Sequence, residues 1–412
     1  MSRIDVAVVG GGPAGAIVAT LLARAGREVL LFERSPAWRW RACGVFSSPA
    51  TVDGLRRVGV DEATLGRVAR RIPAMRVETP GGGAFRLTYG QRLRGPGDVA
   101  GMPVGFDRSA LDPALLAMAA AAGTTVHEGT RVEHVALAGD RPRLDVRGAD
   151  GPASYMADLV IGADGAGSLV ARTVGVARPI RLGPRVGLTF HLEDRAGDPP
   201  ADARMRVFED GYVGIAPVPG GRVNVGIVLG GSWHARLAGE GSEAVVDRVM
   251  AAVPEGAGLA GSPPDPAAWR TGRRVDRIAG ASPLGRRVTR RAGPGWLLVG
   301  DAAGFLDPFT GEGLHRAVVS AELAARAALA WLDGRAGALA AYDRAMRRRF
   351  ATKDVVSWLV QGFLGRPVLF EYAARRLGAR EPVRETMGLV MGDLVPASRA
   401  LDPRFLGALL RP

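Results

Sequence analysis

Two glycine-rich segments carry the strongest chemical signal in this sequence. The first is Val8-Val-Gly-Gly-Gly-Pro-Ala-Gly15, and the second is Gly300-Asp-Ala-Ala followed by Asp307-Pro-Phe-Thr-Gly-Glu-Gly313. A glycine turn before a helix lets backbone N–H groups approach a pyrophosphate, and the positive end of the helix dipole favours the anion. Two such segments, far apart in the chain, predict one long cofactor that is held at several points.

The first segment matches the dinucleotide fingerprint G-x-G-x-x-G at Gly10, Gly12 and Gly15. Pro13 costs no hydrogen bond at the start of a helix. The flanking pattern predicts a β-α-β unit with a strand over 4–9, a helix over 13–25 and a strand over 28–33. Glu33 ends the second strand, where a carboxylate accepts hydrogen bonds from ribose hydroxyls. By itself, this fingerprint is equally consistent with NAD and with FAD.

The second segment extends the interpretation to a flavin. Asp301 follows a predicted buried strand and could accept hydrogen bonds from sugar or ribityl hydroxyls. The next predicted helix starts near Gly311 and Gly313, and its N–H groups could stabilise the negative charge on a reduced flavin. Glycine is suited to both positions because a ring must come close to the backbone. The two segments together therefore predict FAD.

Composition and charge limit the class of protein. The chain has 412 residues, of which 47% are hydrophobic and 23% are charged, as in an ordinary globular protein of more than one folding unit. The single cysteine, Cys43, favours a reducing compartment. The sequence has no signal peptide and no apolar run that could span a bilayer, so we expect a cytoplasmic protein.

The net charge of +13 is scattered along the chain. This pattern argues against a nucleic-acid partner and leaves peripheral contact with an anionic membrane open. We assign no metal site, and the oligomeric state stays undetermined.

The periodicity predicts an α/β fold in which a discontinuous Rossmann-like FAD-binding domain is interrupted by a mostly antiparallel β-sheet substrate domain. A helical region follows at the C-terminus. The expected FAD-binding segments are 1–72, 101–180 and 276–330. The substrate domain covers 73–100 and 181–275, and the helical region covers 331–412. Gly197–Ala203 and Gly256–Pro266 are expected to be exposed loops.

Three motifs together resemble the flavoprotein superfamily that has the para-hydroxybenzoate hydroxylase fold. They are Gly10-x-Gly12-x-x-Gly15 with Glu33, Gly162-Ala-Asp164-Gly165 with Ser168 and Arg172, and Gly300-Asp301-Ala-Ala. This superfamily includes group A flavin monooxygenases, flavin halogenases and geranylgeranyl reductases. The resemblance implies bound FAD and a transient reductant, NADH or NADPH, that needs no second Rossmann fingerprint.

Some of the expected cofactor contacts have alternative roles. Arg108 could reach a pyrophosphate or could lie at a helix end in solvent, and Asp164 could support the cofactor or only a turn. The full set of expected cofactor contacts is Gly10, Gly12, Pro13, Ala14, Gly15, Glu33, Arg34, Arg41, Cys43, Gly44, Arg108, Asp164, Gly165, Gly300, Asp301, Pro308, Gly311, Gly313 and Leu314.

Details of the motifs favour different branches of the superfamily. Gly311-Glu-Gly313 and Arg41-Ala-Cys43-Gly44 resemble the geranylgeranyl reductase branch. That branch usually carries a Tyr-x-Trp-x-Phe-Pro lipid-site motif, whereas this chain has Tyr212-Val-Gly-Ile-Ala-Pro217. This departure argues against a long polyprenyl substrate. Halogenases that resemble this fold use a lysine early in the chain, and the only lysine here is Lys353, so we do not expect halogenation.

We therefore expect monooxygenation, a hydroxylation or epoxidation through a C4a-hydroperoxide, of an apolar, ring-containing small molecule. The first alternative is hydride transfer from reduced FAD to a carbon–carbon double bond, as in the geranylgeranyl reductase branch. The second is a flavin-binding scaffold without catalysis. The catalytic candidates for a dry pocket are Cys43, His191, Tyr212, Asp307 and Phe309. Cys43 could equally be a packing residue, and His191 a structural histidine.

Overall fold

The computed structural model describes residues 3–42, 44–90, 101–137, 141–180, 183, 185–194, 201–252 and 272–411. Within these residues the α-helices are α1 Pro13–Arg24, α2 Pro49–Arg57, α3 Glu62–Val68, α4 Arg108–Ala121, α5 Leu169–Thr173, α6 Trp233–Ala252, α7 Gly313–Leu332, α8 Ala338–Leu364, α9 Pro367–Ala379, α10 Glu381–Met391 and α11 Pro403–Leu410. Short 3₁₀ turns cover Gly300–Ala303, Pro308–Thr310 and Ala397–Leu401. No helix in the described part of the chain combines the length and apolar character that crossing a bilayer requires.

The first sheet has a parallel centre built from distant parts of the chain. In spatial order its strands are Ala292–Gly293, Trp296–Leu298, Gly151–Gly162, Arg3–Val9, Val29–Glu33 and Thr125–Glu128. An antiparallel extension, Arg131–Ala136 and Arg143–Gly148, pairs with Gly151–Gly162. The apolar residues of Arg3–Val9 are buried from both sides, as expected for a central parallel strand.

The second sheet is antiparallel except for one pair of strands. In spatial order its strands are Ala279–Ala281, Val186–Glu193, Arg222–Leu229, Gly211–Val218, Ala203–Phe208, Ala74–Glu78 and Ala84–Thr88. The parallel pair joins Ala203–Phe208 to Ala74–Glu78. Two small sheets complete the described strands. They are Phe46–Ser47 with Val104–Phe106 and Ala69–Arg71, and Ala177–Pro179 with Arg286–Val288.

The two faces of the second sheet bury different apolar clusters because side chains alternate along each strand. Phe190, Val213 and Val225 point to the face that α6 covers. Met75, Leu87 and the other residues of opposite phase pack against the C-terminal helices instead. Helices α9 and α10 contact the Ala84–Thr88 strand. The helical region is therefore part of the wall around the second sheet.

The structure confirms the expected fold class, with a Rossmann-like unit, a mostly antiparallel second sheet and C-terminal helices. The domain boundaries stay a prediction. Ala279–Ala281, which we assigned to an FAD-binding segment, pairs with Val186–Glu193 in the second sheet. Ala203, which we placed at the end of a loop, begins a strand. The rest of that loop, apart from 201 and 202, and the loop at 256–266 lie outside the described residues.

Candidate active site

The first glycine loop, Gly10–Gly15, packs tightly against the protein at Gly10 and Gly15 but leaves open space at Gly12. Gly10 has φ +106°, and a Cβ atom there would lie 2.5 Å from the carbonyl oxygen of Ala163. A Cβ on Gly15 would lie 1.9 Å from the carbonyl oxygen of Gly10, whereas one on Gly12 would meet no atom within 4 Å. Pro13 occupies the start of α1, and its neighbour Ala14 is buried. The open space therefore lies in front of the N-terminus of a helix, where an anion is favoured.

Glu33 is buried at the end of its strand and holds the loop from behind. Its carboxylate accepts hydrogen bonds from the backbone N–H of Gly11 at 2.9 Å and of Ser35 at 3.0 Å. The Arg41 guanidinium lies 3.1 Å from the same group. Burial alone would raise the pKa of Glu33, but Arg41 and the N–H donors outweigh it and hold the pKa below its ordinary value. Glu33 is therefore an ionised acceptor beside Gly11.

Asp301 lies beside the first turn of α1. The preceding Gly300 has φ +57°, and a Cβ there would lie 2.9 Å from the Cβ of Ala14. The backbone N–H of Gly300 donates to Ser320 Oγ at 2.8 Å, which fixes the turn. The Asp301 carboxylate is half-buried and forms no hydrogen bond with any described residue. Burial raises its pKa to about 6, although Arg108 and Arg316 oppose the rise.

Asp301 therefore predicts how the stability of the flavin-free protein depends on pH. Because its folded pKa of about 6 exceeds the ordinary value of 3.8, the folded state keeps a proton that the unfolded state releases between these values. The contribution of Asp301 to the free energy of unfolding falls as the pH rises from about 4 to about 6. Asp301→Asn should remove this fall and weaken FAD binding by about tenfold or more, because an acceptor is lost. Urea unfolding of both apoproteins between pH 4.5 and 7.5, with flavin titrations, measures both effects. Parallel pH curves for the two apoproteins would contradict the assignment.

Arg108 and Asp164 are held by the protein itself. Arg108 makes a bidentate ion pair with Asp112 at 2.6 and 2.9 Å and donates to the carbonyl oxygen of Gly44. Asp164 Oδ2 accepts from the N–H of Leu169 at 2.6 Å and so caps α5. Its Oδ1 is buried and has no hydrogen-bond partner among the described residues, and burial raises the pKa of this acid. Both residues thus have a structural role at the edge of the candidate cofactor site.

The second glycine segment brings the start of α7 to the same region. Gly311 has φ +67°, and a Cβ there would lie 2.6 Å from the ring of Phe46. A Cβ on Gly313 would meet no atom within 4 Å, so the first turn of α7 is open in front, as that of α1 is. Leu314 is buried, and Pro308 begins the 3₁₀ turn before this helix. Of the other expected contacts, Arg34 and Gly44 are exposed, Gly165 turns with φ +75°, and Cys43 lies outside the described residues.

Three of the catalytic candidates form one cluster. Tyr212 Oη donates to Asp307 Oδ1 at 2.6 Å, and the ring of Tyr212 packs edge-on against Phe309 with centroids 5.0 Å apart. The N–H of Phe309 also donates to Asp307 Oδ1. Burial, and then the negative charge of Asp307, raise the pKa of Tyr212 well above its ordinary value. Tyr212 is therefore a neutral hydrogen-bond donor beside the second glycine segment.

Two residues that we did not predict complete this cluster. Arg185 Nη1 lies 2.8 Å from Asp307 Oδ2 and 2.5 Å from Gln361 Oε1 on α8. Gln361 is buried within an otherwise apolar stretch. A polar residue interrupting an apolar run is the one sequence signal that could have identified it. Asp307 and Phe309 belong to the segment 304–312 before α7, which we call the flavin-side loop because it adjoins the predicted flavin site. The cluster therefore joins this loop, the second sheet and the C-terminal helices.

His191 lies apart from this cluster. Its Nδ1 is 2.7 Å from Asp276 Oδ2, its backbone N–H donates to Asp276 Oδ1, and its ring packs 4.4 Å from that of Trp40. His191 Nε2 is buried without a hydrogen-bond partner among the described residues, and burial lowers the pKa of the ring. In the sheet register His191 pairs with Asn224, whereas Tyr212 pairs with Val228. The structure thus does not bring His191 to Asp307.

An apolar cavity lies beside Phe309. Its empty space, with the open mouth included, is about 1030 Å³. Its wall comes from the second sheet, the flavin-side loop and helices α8 to α11. The lining residues are Phe46, Met75, Val77, Phe85, Leu87, Tyr89, Met205, Phe309, Thr310, Val356, Leu359, Val360, Phe363, Phe370, Ala373, Leu377, Met387, Met391, Ala400, Leu401, Phe405, Leu406 and Leu409. Among the lining residues in the described part of the chain, only Tyr89 and Thr310 have a hydroxyl group.

The only lysine belongs to a buried ionic network behind α7. Lys353 Nζ donates to the carbonyl oxygen of Val390 at 2.7 Å and lies 2.9 Å from Asp393 and 3.6 Å from Glu312. Glu312 immediately precedes α7 and also pairs with Arg316 at 3.0 Å. The network thus ties the start of α7 to the C-terminal helices. Its position was not predictable from the sequence, where Lys353 stands alone in an amphipathic helix.

Comparisons with known proteins decide the family. The family model described as "FAD binding domain" matches residues 3–357. This chain belongs to that family of flavoproteins. It is 28% identical to the digeranylgeranylglycerophospholipid reductase of Methanoculleus marisnigri, with 79% of this chain and 77% of the relative covered. It is 30% identical to the menaquinone reductase of Mycolicibacterium smegmatis, with 79% and 76% covered.

Solved structures agree on the fold. A geranylgeranyl bacteriochlorophyll reductase-like protein from Thermoplasma acidophilum superimposes with a TM-score of 0.76 at 22% identity, over 100% of this chain and 96% of that one. The flavin-dependent halogenase CmlS gives a TM-score of 0.71 at 27% identity, over 85% of this chain. This chain covers 63% of that halogenase. The expected relationship to the superfamily and the expected cofactor, FAD, are thus confirmed.

The described residues fit FAD in three respects. The backbone leaves open space in front of α1 at Gly12 and in front of α7 at Gly313. Between them, Asp301 presents a carboxylate without a hydrogen-bond partner among the described residues. These two open helix starts and the carboxylate would hold an anion, a polyhydroxylated linker and a ring that accumulates negative charge on reduction.

Proposed function

We propose that this flavoprotein reduces carbon–carbon double bonds in a long, apolar, isoprenoid-like substrate, with NADH or NADPH as the transient reductant. The apolar cavity beside Phe309 carries this proposal, because its almost entirely hydrocarbon wall suits a hydrocarbon chain. The relatives whose names specify digeranylgeranylglycerophospholipid and menaquinone reduction support it. The monooxygenation that we expected from the sequence gains no support from these relatives, and the reductase alternative fits them better.

The missing lipid-site motif does not count against a long substrate. Gly214 stands where that motif has tryptophan, and a Cβ there would lie 3.4 Å from Met205 Cε, an atom of a residue that lines the cavity. A small residue at this position leaves more room beside the cavity, and the apolar wall comes from other elements. Our inference that the departure argues against a polyprenyl chain therefore considered only one strand, whereas several other elements form the cavity wall.

The residues around the cavity have separate tasks in this proposal. Gly12, Asp301 and the first turn of α7 would hold FAD, which would supply a hydride when reduced. The apolar wall binds the hydrocarbon chain and excludes water. Tyr212 stays protonated and donates its Oη hydrogen to Asp307, so we assign it the task of holding Asp307 and Phe309 in place beside the cavity. The proton that completes the addition of H⁻ and H⁺ across the double bond comes from solvent. Arg185 balances the charge of Asp307.

An anaerobic turnover experiment tests the function. The protein is reduced without oxygen, and a geranylgeranyl lipid and a polyprenyl quinone are added separately. Product that is two hydrogens heavier, formed together with reoxidation of the flavin, supports the proposal. Product that forms only after O₂ is admitted and that contains ¹⁸O would instead establish oxygenation.

The cavity predicts a dependence on chain length. Ala373 lines the wall and is buried, so Ala373→Trp should fill part of the cavity and leave less room for a long chain than for a short one. We expect kcat/KM for a C20 chain to fall by about 100-fold, and that for a C5 or C10 analogue by less than about threefold. Ala379→Trp, at an exposed position on the same helix and outside the cavity wall, is the matched control. An equal loss for long and short chains would contradict the assigned path.

A further inference from the structure

Exposed apolar side chains cluster on helices α8, α9 and α11, which also contribute to the wall of the cavity. We call this cluster the apolar rim, and it consists of Val355, Trp358, Leu359, Val368, Leu369 and Leu410. Val368 at the start of α9 is 82% exposed. Large apolar side chains that are exposed together mark an interaction surface rather than ordinary protein surface. Among the exposed large apolar residues of the described chain, only Val275 lies elsewhere.

The rim and the cavity are one continuous surface. Leu359 is 45% exposed and also lines the cavity. On α9, Val368 and Leu369 face solvent while the next residue, Phe370, lines the cavity. Tyr372 Oη donates to the carbonyl oxygen of Leu410 at 2.8 Å, which holds the end of α11 against α9. The rim thus adjoins the cavity wall, and we expect a hydrocarbon chain to enter the cavity from this side.

The acidic residues nearest the rim, Asp354 and Glu371, are paired with Arg316 and Arg375, whereas two arginines beside the rim are not. Arg366 lies within the rim sequence, next to Pro367, and Arg411 follows Leu410. Both arginines are exposed, and neither forms an ion pair within the described residues. An apolar surface bordered by unpaired arginines has the chemistry of a segment that lies in the interface of an anionic bilayer.

We propose that the apolar rim docks on the surface of an anionic lipid bilayer, so that membrane-dissolved substrate enters the cavity without crossing water. The choice of a membrane rests on the proposed function, because a long isoprenoid chain dissolves in the bilayer and not in water. Val368 and Leu369 at the N-terminal end of α9 enter the acyl boundary, and Trp358 lies at the headgroup level. Arg366 and Arg411 contact lipid phosphates.

Vesicle binding without substrate tests the docking separately from catalysis. The full chain, saturated with FAD, is centrifuged with sucrose-loaded vesicles of pure phosphatidylcholine or of phosphatidylcholine with 30% phosphatidylglycerol, in low and in about 0.5 M salt. We expect the protein to bind the anionic vesicles in low salt. The bound fraction should be smaller in high salt, and smaller with the neutral vesicles. Val368→Glu should weaken it by about tenfold or more, because one apolar contact is lost and a charge faces the lipid. Val275→Glu, the same change at an exposed valine outside the rim, should bind like the wild type.

A second variant isolates the electrostatic part. Arg366→Gln should keep the thermal melting temperature and flavin content of the wild type but reduce both the affinity for anionic vesicles and its dependence on salt. Absence of vesicle binding by the wild type, or equal loss in Val368→Glu and Val275→Glu, would overturn the proposal. So would a dimer in sedimentation that Val368→Glu dissociates, since the rim would then cover a second copy. Vesicle binding with the expected variant pattern supports docking even if no isoprenoid is reduced, in which case only the proposed function fails.

Discussion

Gly15→Ala is expected to abolish flavin binding and to destabilise the flavin-free protein. The new Cβ would lie 1.9 Å from the carbonyl oxygen of Gly10 and 3.1 Å from the Cβ of Ala163. A backbone atom cannot rotate away, so the glycine loop must move. We expect the FAD affinity to fall by more than about 100-fold and the free energy of unfolding to fall by about 1–3 kcal/mol. Flavin fluorescence titration and urea unfolding of the apoprotein measure these two losses.

Gly12→Ala tests the space available to the ligand at the same loop without disturbing the packing of the protein. Its Cβ would meet no protein atom within 4 Å, so the apoprotein should keep its unfolding free energy to within about 0.5 kcal/mol. The methyl group would nevertheless occupy the space in front of α1, and flavin binding should weaken strongly. Gly66→Ala, at an exposed and open position in α3, should leave flavin binding unchanged and raise the free energy of unfolding by about 0.5–1 kcal/mol, because alanine favours the helix more than glycine does. Normal flavin binding by Gly12→Ala would place the cofactor away from this loop.

Lys353→Met is expected to cause the largest loss of stability among the substitutions that leave the glycine loops intact. The change leaves the Asp393 carboxylate, which Lys353 contacts at 2.9 Å, buried without its cation. Burial raises the pKa of Asp393, but Lys353 outweighs this and holds it below its ordinary value. Removing one partner of a buried ion pair costs about 3–5 kcal/mol, and we expect that loss in the free energy of unfolding.

A paired substitution tests whether charge, rather than side-chain volume, causes this loss. Lys353→Met combined with Asp393→Asn leaves no unpaired carboxylate at that position and should be more stable than Lys353→Met alone. Because Glu312 directly precedes α7 and lies 3.6 Å from Lys353, the single variant should also shift the flavin reduction potential. A stability loss below about 1 kcal/mol, or a double variant that is no better than the single one, would contradict this account.

The sequence predicted the backbone features of the candidate site well. Gly10, Gly12, Gly15, Gly300 and the residues around them could be placed because tight turns before helices depend on local geometry. The strand and helix patterns around these turns also predicted the fold class. Such features are encoded within a few neighbouring residues, so they can be predicted without knowing which distant segments of the chain pack together.

The side-chain clusters could not be placed because they depend on tertiary contacts. Asp307 and Tyr212 were candidates, but nothing in the sequence indicated that Arg185 and Gln361 would join them. The cavity combines strands near residue 75 with helices beyond residue 350. The apolar periodicity of each segment reveals that it has a buried face but does not reveal which segment covers that face. For this reason the sequence led us toward a small ring-containing substrate.

The strand order of the first sheet has a consequence for biosynthesis. Trp296–Leu298 pairs with Gly151–Gly162, which in turn pairs with Arg3–Val9, so Asp301 joins the glycine loop only after about 300 residues have been translated. A nascent chain that has just emerged beyond residue 290 would have the strands Arg3–Val9 and Gly151–Gly162 but not Asp301, the acid that we assign to the cofactor site. Ribosome-stalled chains of increasing length should therefore remain colourless until Gly313 has left the exit tunnel, and acquire flavin abruptly thereafter.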